Sequence, residues 1–147
     1  MFGLLLVGCE KFSQEAKELS KTNFNGNVTI EAAMNEIAGL NGKVDYFMPK
    51  EQPENTNYRY LGVTITRDRQ SAEYIILVDK AKNGSQASSI TFGNHKMIFN
   101  NKGNADSSMD TLIQFYTWAG QSEREIRDLL YSMAFAGIFP EVVPISQ

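Results

Sequence analysis

"YRYLGVTITRDRQSAEYIILVDKAKNGSQASSITFGNHKMIF", residues 58–99, is the stretch on which the fold turns. Leu61, Val63 and Ile65 alternate with Tyr60, Gly62, Thr64 and Thr66, the two-residue period of a strand with one buried and one wet face. Glu73–Asp79 is apolar on both parities, which predicts a central strand covered on both sides. Asn83-Gly84 is a turn signal, because glycine reaches positive φ without a Cβ clash, and Ser89-Ile90-Thr91-Phe92 supplies the returning strand. Gly93-Asn94 then turns the chain into Lys96-Met97-Ile98-Phe99. The stretch therefore predicts an antiparallel meander.

Working outward, Thr29 can cap a helix whose Ile30, Ala33, Met34 and Ile37 share one face, with Gly39 and Asn41-Gly42 ending it. Val44–Met48 is expected to be a strand stopped by Pro49, and 50–57 a loop. On the far side, Ser107–Asp110 offers a helix start, with Leu112, Phe115, Tyr116 and Ala119 on one face and Gly120 at the end. Ser122-Glu123-Arg124-Glu125 is a capping box, and Ile126, Leu129, Leu130 and Met133 predict the core face of a last helix ending at Gly137. This order implies an α+β fold: an antiparallel meander of about three to five strands, with an N-terminal helix and two C-terminal helices packed on the sheet. With 147 residues, one domain is expected, placed at 28–147.

Apolar residues make up 42% of the chain, enough for a core, and the net charge of −3 argues against a nucleic-acid binder, which needs a basic face. No apolar run approaches the length of a spanning helix, so the start of the chain is the membrane candidate. There Phe2–Val7 forms a short apolar run, followed by Gly8-Cys9 and an abrupt change to polar residues from Glu10 onward. A short apolar segment with a small residue before the cleavage point is the pattern of a secretory signal. The other reading of residues 2–7 is a buried strand ending in a core cysteine.

Leu6-Val7-Gly8-Cys9 resembles the lipobox of bacterial prolipoproteins, position by position. The resemblance implies a diacylglycerol thioether on Cys9, cleavage between Gly8 and Cys9, and acylation of the freed amine. Residues 1–8 would then be a cleaved signal peptide, and 9–27 a lipidated cysteine with a polar tether. Phe12, Ala16 and Leu19 within that tether line one narrow helical stripe, so a docked N-terminal helix is the alternative. Glu10, where an aspartate would signal retention at the inner membrane, points by the family rule to the outer membrane, periplasmic side. Met1-Phe2-Gly3 lacks the basic residues that open such signals, so an upstream start or a truncated sequence is expected.

Little in the remainder suggests catalysis. His95, the single histidine, lies in an expected turn, and one histidine with one lipid-committed cysteine is a poor zinc set. Asp79–Ser85 and residues 100–106 lack the alternating carboxylates of a calcium loop. Neither phosphate-loop nor dinucleotide glycine motifs occur. No catalytic residue, metal or cofactor is therefore expected beyond the acyl chains on Cys9. Two features suit recognition: Tyr58 and Tyr60, on the strand face opposite Leu61, Val63 and Ile65 with Arg59 and Arg67 on the other parity, and Trp118, which with Ile113 falls off the main stripe of its helix. Burial is the competing reading for both. The sequence thus predicts a membrane-anchored, non-catalytic lipoprotein domain binding a partner or ligand in the envelope. A small envelope inhibitor or exclusion factor, or a hydrolase using His95, are the alternatives.

Overall fold

The computed structural model describes residues 12–100 and 102–145, so Gly8, Cys9 and the expected signal peptide lie outside the described residues. The fold is α+β: among the described residues, a mostly antiparallel six-stranded sheet, a two-stranded one, and four helices. The chain groups into two compact units divided at Ala87 and Ser88, a boundary that falls within one strand.

In the first unit, residues 12–19 form helix α1. Strands β1 (Asn23–Asn25) and β2 (Val28–Thr29) pair as a small hairpin and lead directly into α2 (Ile30–Ala38). The Thr29 hydroxyl caps α2, accepting from the Ala32 amide at 3.1 Å, and Ile30, Met34 and Ala38 form its buried stripe. Then come β3 (Lys43–Phe47), β4 (Tyr58–Arg67), β5 (Gln70–Asp79) and β6 (Gly84–Phe92). Register explains the core: Leu61 faces Ile76, Val63 faces Tyr74 and Tyr46, and Ile65 faces Ala72 and Val44, all on the side that α2 covers. β4 and β5 close through Asp68-Arg69, both at positive φ (52° and 64°), as a two-residue hairpin of right-handed twist requires.

Residues 12–27 are not a free tether. Ala16 and Leu19 are buried, at 0% and 6% exposure, and the Arg59 guanidinium grips the Glu15 carboxylate through two bonds of 2.8 and 2.9 Å. The docked-helix alternative is what the chain adopts, because a bidentate ion pair supplements a stripe too narrow to hold alone. Arg67 is similarly occupied, donating to the Ile37 carbonyl at 2.8 Å at the C-terminal end of α2.

Tyr46 carries the one buried side-chain polar atom without a hydrogen-bond partner among the described residues, its hydroxyl. Burial, helped by the charge of Glu31, pushes its pKa up to about 12. Removing an unsatisfied hydroxyl relieves its desolvation, so Tyr46→Phe is expected to raise stability by about 1 kcal/mol, read as a higher urea midpoint; a lower midpoint would show that the hydroxyl has a partner.

The second unit continues with β7 (His95–Ile98), α3 (Ala105–Trp118), α4 (Glu123–Phe135) and β8 (Glu141–Pro144). Phe92 and His95 pair across Gly93-Asn94, with Gly93 at φ 59°, and β8 returns antiparallel to β7. Asn104 caps α3 through its side chain, bonding the Ser107 amide at 2.9 Å, so this helix starts earlier than the Ser107 signal predicts. The Ser122/Glu125 capping box forms at the head of α4. Leu112 and Phe115 fill the interior, and Phe92 meets Phe115 edge to face with ring centroids 5.5 Å apart.

Tyr116, packed on Phe115 at 4.9 Å, is likewise pushed up to about 12 by burial. Unfolding returns Tyr46 and Tyr116 to an ordinary value near 10, so between about pH 10 and 12 the unfolded chain holds fewer protons than the folded one. Stability is accordingly expected to be full below pH 10 and to fall as pH rises through 12. In the native protein these two phenolates should ionise near pH 12, checked by ultraviolet titration of wild type against Tyr46→Phe.

Candidate functional site

Two surfaces emerge, one in each unit. The first is the face of β4 and β5 turned away from α2. Register places Tyr58 opposite Asp79, Tyr60 opposite Leu77 and Gly62 opposite Ile75, and this parity is half-exposed. The expectation that β5 is covered on both sides is therefore corrected: Tyr74, Ile76 and Val78 are buried, whereas Ile75 and Leu77 are only partly covered. Phe47 lies across Gly62, where a Cβ would enter its ring, so the glycine gives the aromatic a seat on this face.

Gln52 fixes Tyr60. Its side-chain amide accepts from the Tyr60 N–H at 2.7 Å and donates to the Tyr60 carbonyl at 2.9 Å. The amide thus substitutes for a backbone partner just beyond the end of β3, and it holds the loop over 50–57 against β4. Near Tyr58 a cavity of about 280 Å³ opens, lined also by Leu77, Asp79, Lys82 and Ser85. Asp79 is committed to shaping the turn, accepting from the amides of Ala81 and Lys82 at 3.1 and 3.2 Å. Arg59 and Arg67 do not flank this face; both reach the opposite side, toward α1 and α2.

The second surface is the cleft between α3 and α4. Of the four α4 residues expected to face the core, only Ile126 is buried, and Leu129, Leu130 and Met133 are half-exposed. A cavity of about 430 Å³ lies there, lined by Ile113, Thr117, Ile126 and Leu130, with Gln121, Glu123 and Arg127 also on its wall. Elsewhere on α4, Tyr131 and Phe135 are 63% and 93% exposed, an unusual display for one helix turn. The sequence reading missed this surface because the helical period identifies an apolar face without showing how much of it the rest of the chain covers.

Trp118 is half-exposed. Its ring packs on Phe92 at 5.2 Å and Phe115 at 6.0 Å, so its part is in the aromatic cluster, and the apolar display falls to Ile113. His95 stands exposed at the start of β7, and among the described residues no three His, Cys, Asp or Glu side chains gather as a metal set. No helix among the described residues is long and apolar enough to cross a membrane. Comparison with protein-family models, with curated proteins and with solved structures gives no match to this chain.

Proposed function

We propose that this chain is a lipid-anchored bacterial envelope protein, held through Cys9 at the periplasmic side of the outer membrane, whose folded part binds a partner without catalysing a reaction. The observation that carries the reading is Leu6-Val7-Gly8-Cys9: the only cysteine of the chain stands where an apolar run ends, behind a small residue. Acyl chains on Cys9 and its amine would anchor stably, since two or more chains together hold where one does not. The partly covered apolar cleft of α3 and α4 supports the binding half of the reading, because exposed apolar clefts of this kind suit a protein partner. The Tyr58/Tyr60 face offers a second, more polar contact area.

The test is a Cys9→Ser variant expressed in a bacterium behind a complete signal sequence. The unaltered chain should sediment with membranes and incorporate labelled palmitate. The variant should carry no label and move to the soluble fraction. Unchanged partitioning of the variant, or an unlabelled parent, would defeat the anchor.

A further inference from the structure

We infer that the first unit lies directly on the lipid surface in a fixed orientation, with the end of its sheet next to α1 against the bilayer and the Asp68-Arg69 turn pointing away. The inference rests on the proposed anchor at Cys9 and adds what the fold does with it. Cys9 and Phe12 are three residues apart, so their Cα atoms cannot separate by more than about 10 Å even in an extended chain. That distance is comparable to the polar layer of a bilayer, and it ends on a helix with no slack behind it.

α1 is tied to one end of the sheet at two places. Glu15 is gripped by Arg59, the second residue of β4. Past the helix, the Ser85 hydroxyl donates to the Asn23 carbonyl at 2.7 Å, which fixes β1 to the start of β6. At this same end the Lys80 amide bonds the Asn57 carbonyl at 2.9 Å, so the start of β4 and the turn after β5 lie together. β4 carries the chain ten residues, about 30 Å, to the Asp68-Arg69 turn. Helix and sheet are therefore joined without a hinge among the described residues, and the first of these, Phe12, is 56% exposed and within about 10 Å of the proposed anchor.

Charge does not drive the contact. Among the exposed lysines in these segments Lys21 is paired with Glu31, and Lys17, Lys50, Lys80 and Lys82 are largely offset by the exposed Glu18, Glu51 and Glu54, which leaves an excess of one positive charge. The covalent anchor supplies the contact instead, by keeping the surface at high effective concentration. The contact should accordingly survive high salt, and the Cys9→Ser chain should not bind phosphatidylcholine vesicles.

The test uses the only free thiol that a Ser13→Cys or a Gln70→Cys chain would have once Cys9 carries lipid. Each acylated protein is spin-labelled and placed in phosphatidylcholine vesicles, and the label's access to a water-soluble paramagnetic reagent is measured. Position 13 should lose access relative to the same label on detergent-free protein that carries Cys9→Ser and so has no lipid and no second thiol, while position 70 should not. A Gly/Ser spacer of about twelve residues inserted after Lys11 adds roughly 20 Å of reach and should restore access at 13. Equal aqueous access at 13 and 70 in protein that carries acyl label and floats with vesicles would overturn the docked orientation and leave the anchor standing. Absence of acyl label would overturn the anchor and the orientation with it.

Discussion

Replacing Phe115 by alanine is expected to destabilise the protein by about 3–5 kcal/mol, the range for truncating a fully buried aromatic. Phe115 is the largest side chain with no exposure at all, and it holds together a cluster that no single neighbour could. Phe92 meets it edge to face, Tyr116 packs on it at 4.9 Å, and Trp118 at 6.0 Å. Alanine removes the ring around which the other three are arranged, and backbone held by β6 and α3 leaves the site little room to collapse. Against a total stability of about 5–15 kcal/mol, such a loss places the variant close to unfolding at ordinary temperatures. Trp118, the single tryptophan, reports the change directly: its emission should shift to the red and the urea midpoint should fall steeply. An unchanged midpoint would mean that the cluster does not support the unit.

Gly103→Ala should cost about 3 kcal/mol, the upper end of what overpacking does. A Cβ on residue 103 would fall on the carbonyl carbon and oxygen of Pro140, and it would also crowd the Glu141 amide. These are backbone atoms, so no rotamer change can relieve the clash. The same glycine donates its N–H to the Phe139 carbonyl at 3.0 Å, joining the approach to α3 with the approach to β8. To admit a methyl group, that bond must lengthen and β8 must shift from β7. The expected signature is faster amide exchange at Met97 and Val142, which face each other across those strands, together with a lower midpoint. Wild-type exchange at both positions would contradict the close approach.

What the sequence disclosed follows from how local each cause is. The α2 helix was legible because cap, stripe and terminator, Thr29 through Gly39, all lie within eleven consecutive positions. The capping box of α4 and the Gly93-Asn94 hairpin were legible for the same reason. Asp68-Arg69 was not, since neither residue announces the positive φ that it adopts, and without that turn the full length of β4 and β5 stays hidden. Strand β8 is four residues next to Pro140 and ending in Pro144, and only its pairing with β7 makes it a strand. The docking of α1 depends on Glu15 meeting Arg59, 44 residues away, which no local period records.

The candidate surfaces divide along the same line. The parity that puts Tyr58 and Tyr60 together follows from the two-residue repeat alone, and the structure keeps them on one half-exposed face. Whether Leu129, Leu130 and Met133 are covered is decided by what packs on α4, and Trp118 is half-covered by Phe92, a strand residue far from it in sequence. Local pattern identifies which side chains are apolar, and tertiary packing decides which of them remain available to a partner.

The most direct test of the account is the mass of the N-terminal peptide of the mature protein isolated from bacterial membranes. That peptide should begin at Cys9 and carry a diacylglyceryl group on its sulfur with a further acyl chain on its amine. A peptide that still contains Leu6-Val7-Gly8, with Cys9 unmodified, would contradict it.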